Sequence, residues 1–382
     1  MQYQYQIKFN QVYISGPQIA EVDGETRNLY PHEARLRSLT YAAGVFIDIN
    51  CKQYAIDGNQ KVIEDEPPVL DQDHDLIHLC YLPIMVKSVH CILKSQEGRT
   101  DRDLTQVGEC VFDQGGYFVI NGSEKVIIAQ ERISNNHVYV FKKQQPSKFE
   151  WVCETRSHVS SGSRPTSTMY LQMYNKGQRG NIDGRQLRCT IPYIRMEVPI
   201  IIVFRALGFE ADRDIMEHIV YDFKDVDMMA RLRPSFDDAS IVQQKTVALD
   251  YIGKRGSATY SLRSERVQYA RDILQKELLP HVGTEANNET KKAFFVGYIV
   301  HKILMCSLGR LHEDDRDHLG KKRLDLAGPL MGGLFRILFK KLTTEVRKHL
   351  QKCLNEGKGF NPILAIRAET LSSKLKLSSL KL

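Results

Sequence analysis

The densest run of groups able to do chemistry is Glu313 to Arg323, EDDRDHLGKKR. Asp314, Asp315, Asp317 and His318 offer carboxylate oxygens and an imidazole, the donor types of a divalent-cation site. Arg316, Lys321, Lys322 and Arg323 stand within a few residues, and cations so placed usually neutralise the carboxylates beside them. Mixed ion pairing at a domain junction is the stronger reading, with Gly320 allowing the chain to bend. A second basic group accompanies an apolar stripe. Between Leu330 and Leu354 the residues Phe335, Leu338, Phe339, Leu342, Val346, Leu350 and Cys353 recur at about 100° per residue, which predicts a helix with that face buried. Arg336, Lys340 and Arg347 line one flank of the stripe, and Lys341, Lys348 and Lys352 line the other. Such rows are either a solvated helix surface or a set of phosphate ligands.

Other chemistries lack their residues. The phosphate loop GxxxxGK[ST] is absent, and Gly253-Lys254-Arg255-Gly256, without its spacing, reads as a turn. Neither GxSxG nor HExxH occurs. The eight cysteines, Cys51, Cys80, Cys91, Cys110, Cys153, Cys189, Cys306 and Cys353, form no CxxC pair, so a zinc site is not expected and they read as reduced thiols. The 53 basic residues exceed the 46 acidic ones, a formal charge of +7 that suits a polyanion or an acidic protein partner. Nothing at the N-terminus has the apolar core of a signal peptide. The longest apolar stretch, Ala293 to Leu308, is interrupted by His301 and Lys302 and reads as a buried helix, so a soluble intracellular protein without a membrane partner is expected.

The elements that must position these groups fall into two parts, the natural number of domains for 382 residues. The first third is strand-rich: QYQYQIKF, VYIS and AGVFIDI (Ala43 to Ile49) are each bounded by turn residues. The sharpest hairpin signal is Gly116 to Gln130, where GYFVI and KVIIAQ flank Asn121-Gly122, a dipeptide that tolerates positive φ. His137 to Phe141 predicts a further strand. Composition changes at Gln144 to Ser147, and Ser157 to Thr168 is a polar, Gly/Pro-containing loop, which places a domain boundary near Gln144. Beyond it, Thr168 to Tyr174 predicts a strand, Pro199 the first residue of a helix running toward Gly208, and Ser264 to Leu279 a longer helix with Val267, Ala270, Ile273, Leu274 and Leu278 inward. The closing LSSKLKLSSLKL, Leu371 to Leu382, sustains neither helical nor strand periodicity.

Two stretches exceed generic pattern: GGYFVINGSEKVIIAQE from Gly115 and DDRDHLGKKRLDLAGPL from Asp314. With HEARLRSLTYAA from His32, LPIMVKS from Leu82 and KRGSATYS from Lys254 between them, they resemble the second-largest, β-like subunit of eukaryotic DNA-directed RNA polymerase. The resemblance covers roughly residues 10 to 370, and SEKVIIAQE and RLDLAGPL are most similar to the polymerase II form.

The resemblance implies an α+β fold: a mixed strand and helix protrusion domain with an α+β lobe domain inserted in it. The first part of the protrusion would occupy 1–144, the lobe 145–322, the second part of the protrusion 323–370, and a divergent tail 371–382. It further implies a role in DNA-templated RNA synthesis in the nucleus. The expected partners are the DNA template, the RNA–DNA hybrid, the largest and smaller polymerase subunits, and transcription factors. In this family the Mg²⁺ ions of nucleotidyl transfer are held by the largest subunit. The family's zinc site, hybrid-binding block and wall lie C-terminal to this sequence. No cofactor and no catalytic residue are therefore expected here, and the chain alone is predicted to be inactive. By family position Glu124, Lys125 and Gln130 approach the hybrid, and Lys321, Lys322 and Arg323 lead into the cleft. The nucleic-acid-binding candidates are Lys125, Gln130, Lys321, Lys322, Arg323, Arg336, Lys340 and Arg347, neutralising phosphates without reading bases.

Two departures accompany the resemblance. The chain starts inside an early protrusion strand, and after Thr370 it leaves the family pattern, which implies a truncated or mispredicted gene product or a read-through into noncoding sequence. The alternative reading is a non-catalytic fragment that binds nucleic acid or protein partners on its own.

Overall fold

The computed structural model describes residues 2–56, 70–94, 101–160, 164–175, 184–258 and 260–381. The chain divides into two units, one of Met1–Glu131 with Leu324–Leu382 and one of Arg132–Arg323. The fold is mixed α+β, and the first unit is discontinuous in sequence.

In the first unit the strands are β1 (Gln2–Ala20), β2 (Thr26–Asn28), β3 (Ala42–Ile56), β4 (Leu70–Pro83), β5 (Phe118–Ile120) and β6 (Ser123–Lys125). Its early helices are α1 (Pro31–Leu36) and α2 (Asp101–Gln106). A four-stranded antiparallel sheet has the order β2-β1-β3-β4. The two strands expected from QYQYQIKF and VYIS are one strand, because a bulge between Phe9 and Val12 lets β1 change register on β3 without ending. Inward-facing Ile7 and Phe9 alternate with exposed neighbours, as half-buried pleated strands require. The strand β7 (Gln130–Ile133) carries the first crossing between the units.

The second unit holds β8 (Val138–Lys142), β9 (Phe149–Ser157), β10 (Ser167–Tyr174), β11 (Leu187–Thr190) and β12 (Val198–Pro199), antiparallel in the order β12-β11-β10-β9-β8. The crossing falls at Glu131 and Arg132, earlier than Gln144, because β8 pairs with β9 and so belongs to this sheet. The loop at Ser157 to Thr168 connects two paired strands of one sheet, and residues 161–163 within it lie outside the described residues.

The helices α3 (Ile200–Ala206), α4 (Asp212–Val220), α5 (Val226–Asp238), α6 (Lys245–Gly253), α7 (Arg263–Lys276) and α8 (Glu289–Ser307) share one apolar core with the sheet. Pro199 is the cap preceding α3, not its first residue. In α7, Ala270, Ile273 and Leu274 face the core, as their spacing predicts. Gly297 lets α8 meet α4, since a Cβ there would lie 2.3 Å from the His218 carbonyl oxygen.

The strand β13 (Lys322–Asp325) pairs with β7 and returns the chain to the first unit. There α9 (Ala327–Asn355), α10 (Pro362–Ala365) and α11 (Ala368–Lys381) follow. The buried stripe of α9, Leu338, Leu342 and Val346, packs on Val45, Ile47, Ile49, Ile77 and Leu79 of the sheet. Full burial of each such side chain is worth about 1.5–3 kcal/mol, which fixes the rotation of this long helix. The tail differs from expectation: it is helical. Leu371 and Leu375, one turn apart, are both buried in the same core, and the Ser372 hydroxyl accepts a hydrogen bond of 2.9 Å from the Tyr81 N–H. Tertiary burial of one face supplies what the Leu, Ser and Lys composition did not reveal. Among the described residues, no helix is long and apolar enough to cross a membrane.

Candidate nucleic-acid interface

In the first unit the site begins with a turn. Asn121 and Gly122 have φ of 50° and 76° and join Ile120 directly to Ser123, a two-residue hairpin of the kind Asn-Gly favours. Gly122 is also sterically required, because a Cβ would sit 2.8 Å from the Ser38 Cα. The second strand is shorter than KVIIAQ suggested. It ends at Lys125, after which Ile127 turns inward while Val126 and Ile128 are exposed.

A polar network pins this hairpin. The Arg35 guanidinium donates to Glu109 at 2.8 Å, to the Tyr117 hydroxyl at 2.9 Å and to Glu124 at 3.2 Å. Glu109, whose side chain is buried, also accepts the His32 N–H at 2.6 Å at the start of α1. The Tyr117 hydroxyl donates to Asp113, whose carboxylate takes the Gly115 N–H at 2.9 Å. Burial alone would raise the Asp113 pKa, but these hydrogen bonds and the nearby Lys87 outweigh it and hold the carboxyl below its usual range. The same burial and the Asp113 bond push the Tyr117 phenol up. Glu124 is thus turned to Arg35, whereas Lys125 has no ion-pair partner among the described residues.

Beneath the hairpin Phe118, Ile120 and Ile127 pack with Ala327, Leu330 and Met331 at the start of α9. The two distinctive sequence stretches, far apart in the chain, share one apolar cluster.

Along α9, Arg336, Lys340 and Arg347 are exposed and form no ion pair among the described residues. The other flank is partly compensated, since Lys341 faces Glu345 at 3.9 Å and Lys352 faces Glu356 at 3.7 Å. Gln130 is exposed, with its amide 3.5 Å from the Ile128 carbonyl oxygen.

The Glu313–Arg323 cluster is built differently. Asp314, with a side chain only 10% exposed, receives Lys302 at 2.8 Å, the Val140 N–H at 2.9 Å and Lys321. Burial would raise its pKa, but the two lysines and the amide together hold it below the usual carboxylate range. Glu313 accepts the Lys142 N–H at 3.0 Å, so the segment covers the edge of β8 and satisfies amides that an edge strand leaves open. Asp315 accepts the Asp317 N–H at 2.8 Å, His318 accepts the Gly320 N–H at 3.1 Å, and Arg316 lies 3.8 Å over the Phe141 ring. Among the described residues, no three potential metal ligands converge. Lys321 is therefore engaged by a buried carboxylate, while Arg323 is exposed and bonds the Gly320 and Lys322 carbonyl oxygens at 3.1 and 2.8 Å. Lys322 is half-buried.

The candidates consequently lie on separate elements. Lys125, Gln130 and the α9 row belong to the first unit's portion of chain, and Lys321, Lys322 and Arg323 to the second's. Sequence reasoning passed over Arg35, Glu109 and Asp113, which orient the hairpin, and Lys302, which completes the Asp314 pair. Only the quoted HEARLRS stretch hinted at the first of these.

The family model for the RNA polymerase beta subunit matches residues 1–373. The DNA-directed RNA polymerase II subunit 2 of Arabidopsis thaliana is 53% identical over 98% of this chain, and the corresponding subunit of Schizosaccharomyces pombe is 48% identical over 98%. The archaeal DNA-directed RNA polymerase subunit Rpo2 of Sulfolobus acidocaldarius is 32% identical over 97%. This chain spans about 30% of the length of these relatives: 31%, 31% and 30% respectively. With both distinctive stretches matched and joined in one core, the chain belongs to the RNA polymerase β-subunit family, where it is similar to the second subunit of polymerase II.

Proposed function

We propose that the chain serves DNA-templated RNA synthesis within a DNA-directed RNA polymerase, the first unit as the protrusion and the second as the lobe. Its part is to guide DNA and the RNA–DNA hybrid by neutralising phosphates. The observation that carries this reading is the exposed row Arg336, Lys340 and Arg347, free of carboxylates among the described residues, on a helix whose other flank is partly paired. Cations spaced along one helix face attract a phosphate backbone without selecting bases, as a machine that translocates over any sequence needs. Lys125, Gln130, Lys322 and Arg323 add exposed or half-exposed donors, and Lys321 contributes mainly through its bond to Asp314.

Nucleotidyl transfer itself is a property of the assembled enzyme. Its Mg²⁺ would be held by the largest subunit, and the family's zinc site would lie further along a complete subunit. The chain alone is inactive in this reading, and its partners are the other polymerase subunits and transcription factors in the nucleus.

Affinity purification of the chain from its native cells, with mass spectrometry and a templated RNA-extension assay, tests the reading. Recovery of the largest subunit together with extension activity is the expected result. Recovery of the chain without polymerase subunits would instead favour a fragment that binds on its own.

A further inference from the structure

A second basic site lies in the Arg132–Arg323 unit. An open cavity of about 750 Å³ is lined by Lys142, Lys148, Glu150, Asn175 and Arg185, among other residues. Arg185 is 29% exposed there, and its Nε lies 3.4 Å from Glu150. That pair lacks hydrogen-bond geometry: Arg185 Nε has no hydrogen-bond partner among the described residues, and neither does the buried Nη1 of Arg231 on α5. Burial, and then the positive charge of Arg185, hold the Arg231 pKa below its ordinary value, with Glu150 opposing them. Arg185 thus pairs with Glu150, whereas Arg231 interacts with that carboxylate only through its field. At the rim, Lys148 faces Glu197 at 3.8 Å and lies over the Phe149 and Tyr174 rings at 5.2 and 5.0 Å, and Lys142 extends over the Trp151 ring at 5.8 Å.

We infer that this cavity binds an acidic peptide segment of a protein partner, one of whose carboxylates engages Arg185 and supplies the second anion that the Arg185–Glu150–Arg231 group lacks. Charge counting favours a carboxylate. Among the described residues, Lys142, Lys148 and Arg185 line the cavity against the single acid Glu150, so positive charge exceeds negative there by two. Guanidinium presents a planar fork that matches a carboxylate, and such a bond is charge-assisted. Arg231 acts from behind as a positioning charge that competes for Glu150. In the cavity wall, Asn175 Nδ2 already donates to the Gln145 side chain at 2.9 Å and to the Ser147 carbonyl oxygen, so it is the Asn175 Oδ1 that can accept a peptide N–H. A continuous nucleic-acid backbone is disfavoured because Glu150 stands within the cavity and repels successive phosphates.

The test is a fluorescence-anisotropy titration of the full chain, at about 150 mM salt to suppress long-range attraction. Its probes are a labelled peptide alternating Glu and Gly, the matching Gln peptide, and a single-stranded DNA oligonucleotide. The Glu peptide should bind and the Gln peptide should not. Arg185→Gln should weaken the Glu peptide about tenfold or more, and Arg231→Gln by a smaller factor. Glu150→Gln should tighten it by about threefold, a change that misfolding cannot produce. Equal binding of both peptides, an unchanged affinity in Arg185→Gln, or weaker binding in Glu150→Gln overturns the inference. So does a DNA affinity that falls with Arg185→Gln while the Glu peptide is unaffected.

Discussion

The Glu313–Arg323 segment and the α9 helix each carry several lysines and arginines, yet they hold their charge in opposite ways. In the segment, Asp314 gathers Lys302 from α8 and Lys321 from its own loop at a side chain 10% exposed. On α9, Arg336, Lys340 and Arg347 meet no carboxylate among the described residues, because the neighbouring acids Glu345 and Glu356 stand on the other flank. A cation becomes available to phosphate when the fold brings it no carboxylate, whatever its sequence neighbours are. Burial decides the energetics as well, since a buried pair broken on one side leaves a desolvated charge and an exposed one does not.

The largest effect that could break this comparison is on stability. Asp314→Ala should cost about 3–5 kcal/mol in urea denaturation, because Lys302 is left in a buried setting with only the Val138 carbonyl oxygen and the Val140 N–H loses its side-chain acceptor. A loss below about 1 kcal/mol would mean that the cluster is as solvated as α9.

Next in size, the triple change Arg336→Ala, Lys340→Ala and Arg347→Ala should weaken DNA binding by about tenfold or more and lower the salt slope by roughly two to three. Its unfolding free energy should move by no more than about 0.5 kcal/mol. Unaltered DNA affinity would assign the row to a plain solvated face.

Lys321→Ala should do the reverse, leaving DNA affinity nearly unchanged while lowering stability by about 1 kcal/mol. A large loss of DNA affinity would return Lys321 to the interface.

The smallest effect is a pH dependence. The Asp314 carboxyl is held below its unfolded value of about 3.9, so its stabilisation is fully present above that pH. It disappears as the pH falls through the lower folded value. Acid titration of stability should therefore be shallower in Asp314→Ala than in the natural chain, and identical profiles would show that Asp314 is not the titrating group.

Much of this was readable in the residues. Asn121-Gly122 announced a hairpin because few other dipeptides tolerate two positive φ values, and the α9 stripe announced both the helix and its buried face. The tail was not readable. Leu371 and Leu375 make one helical turn of buried contacts, but only the sheet they cover makes that turn worth forming. Nor was the union of VYIS with the preceding strand, because a bulge breaks alternation in sequence while preserving the ladder in space.

The sequence by itself determined the family, through the resemblance of its motifs, and with it the mixed fold class; it also determined the hairpin turn and the rotation of α9, which follow from local conformational preference and short-range periodicity. Tertiary structure alone decided which cations remain available. Arg35 meets Glu109 and Glu124, Lys302 meets Asp314, and Arg185 meets Glu150. Except for Lys302 and Asp314, the partners in these pairs come from distant parts of the chain. Electrostatic pairing depends on distance in space and on desolvation, neither of which local sequence spacing encodes.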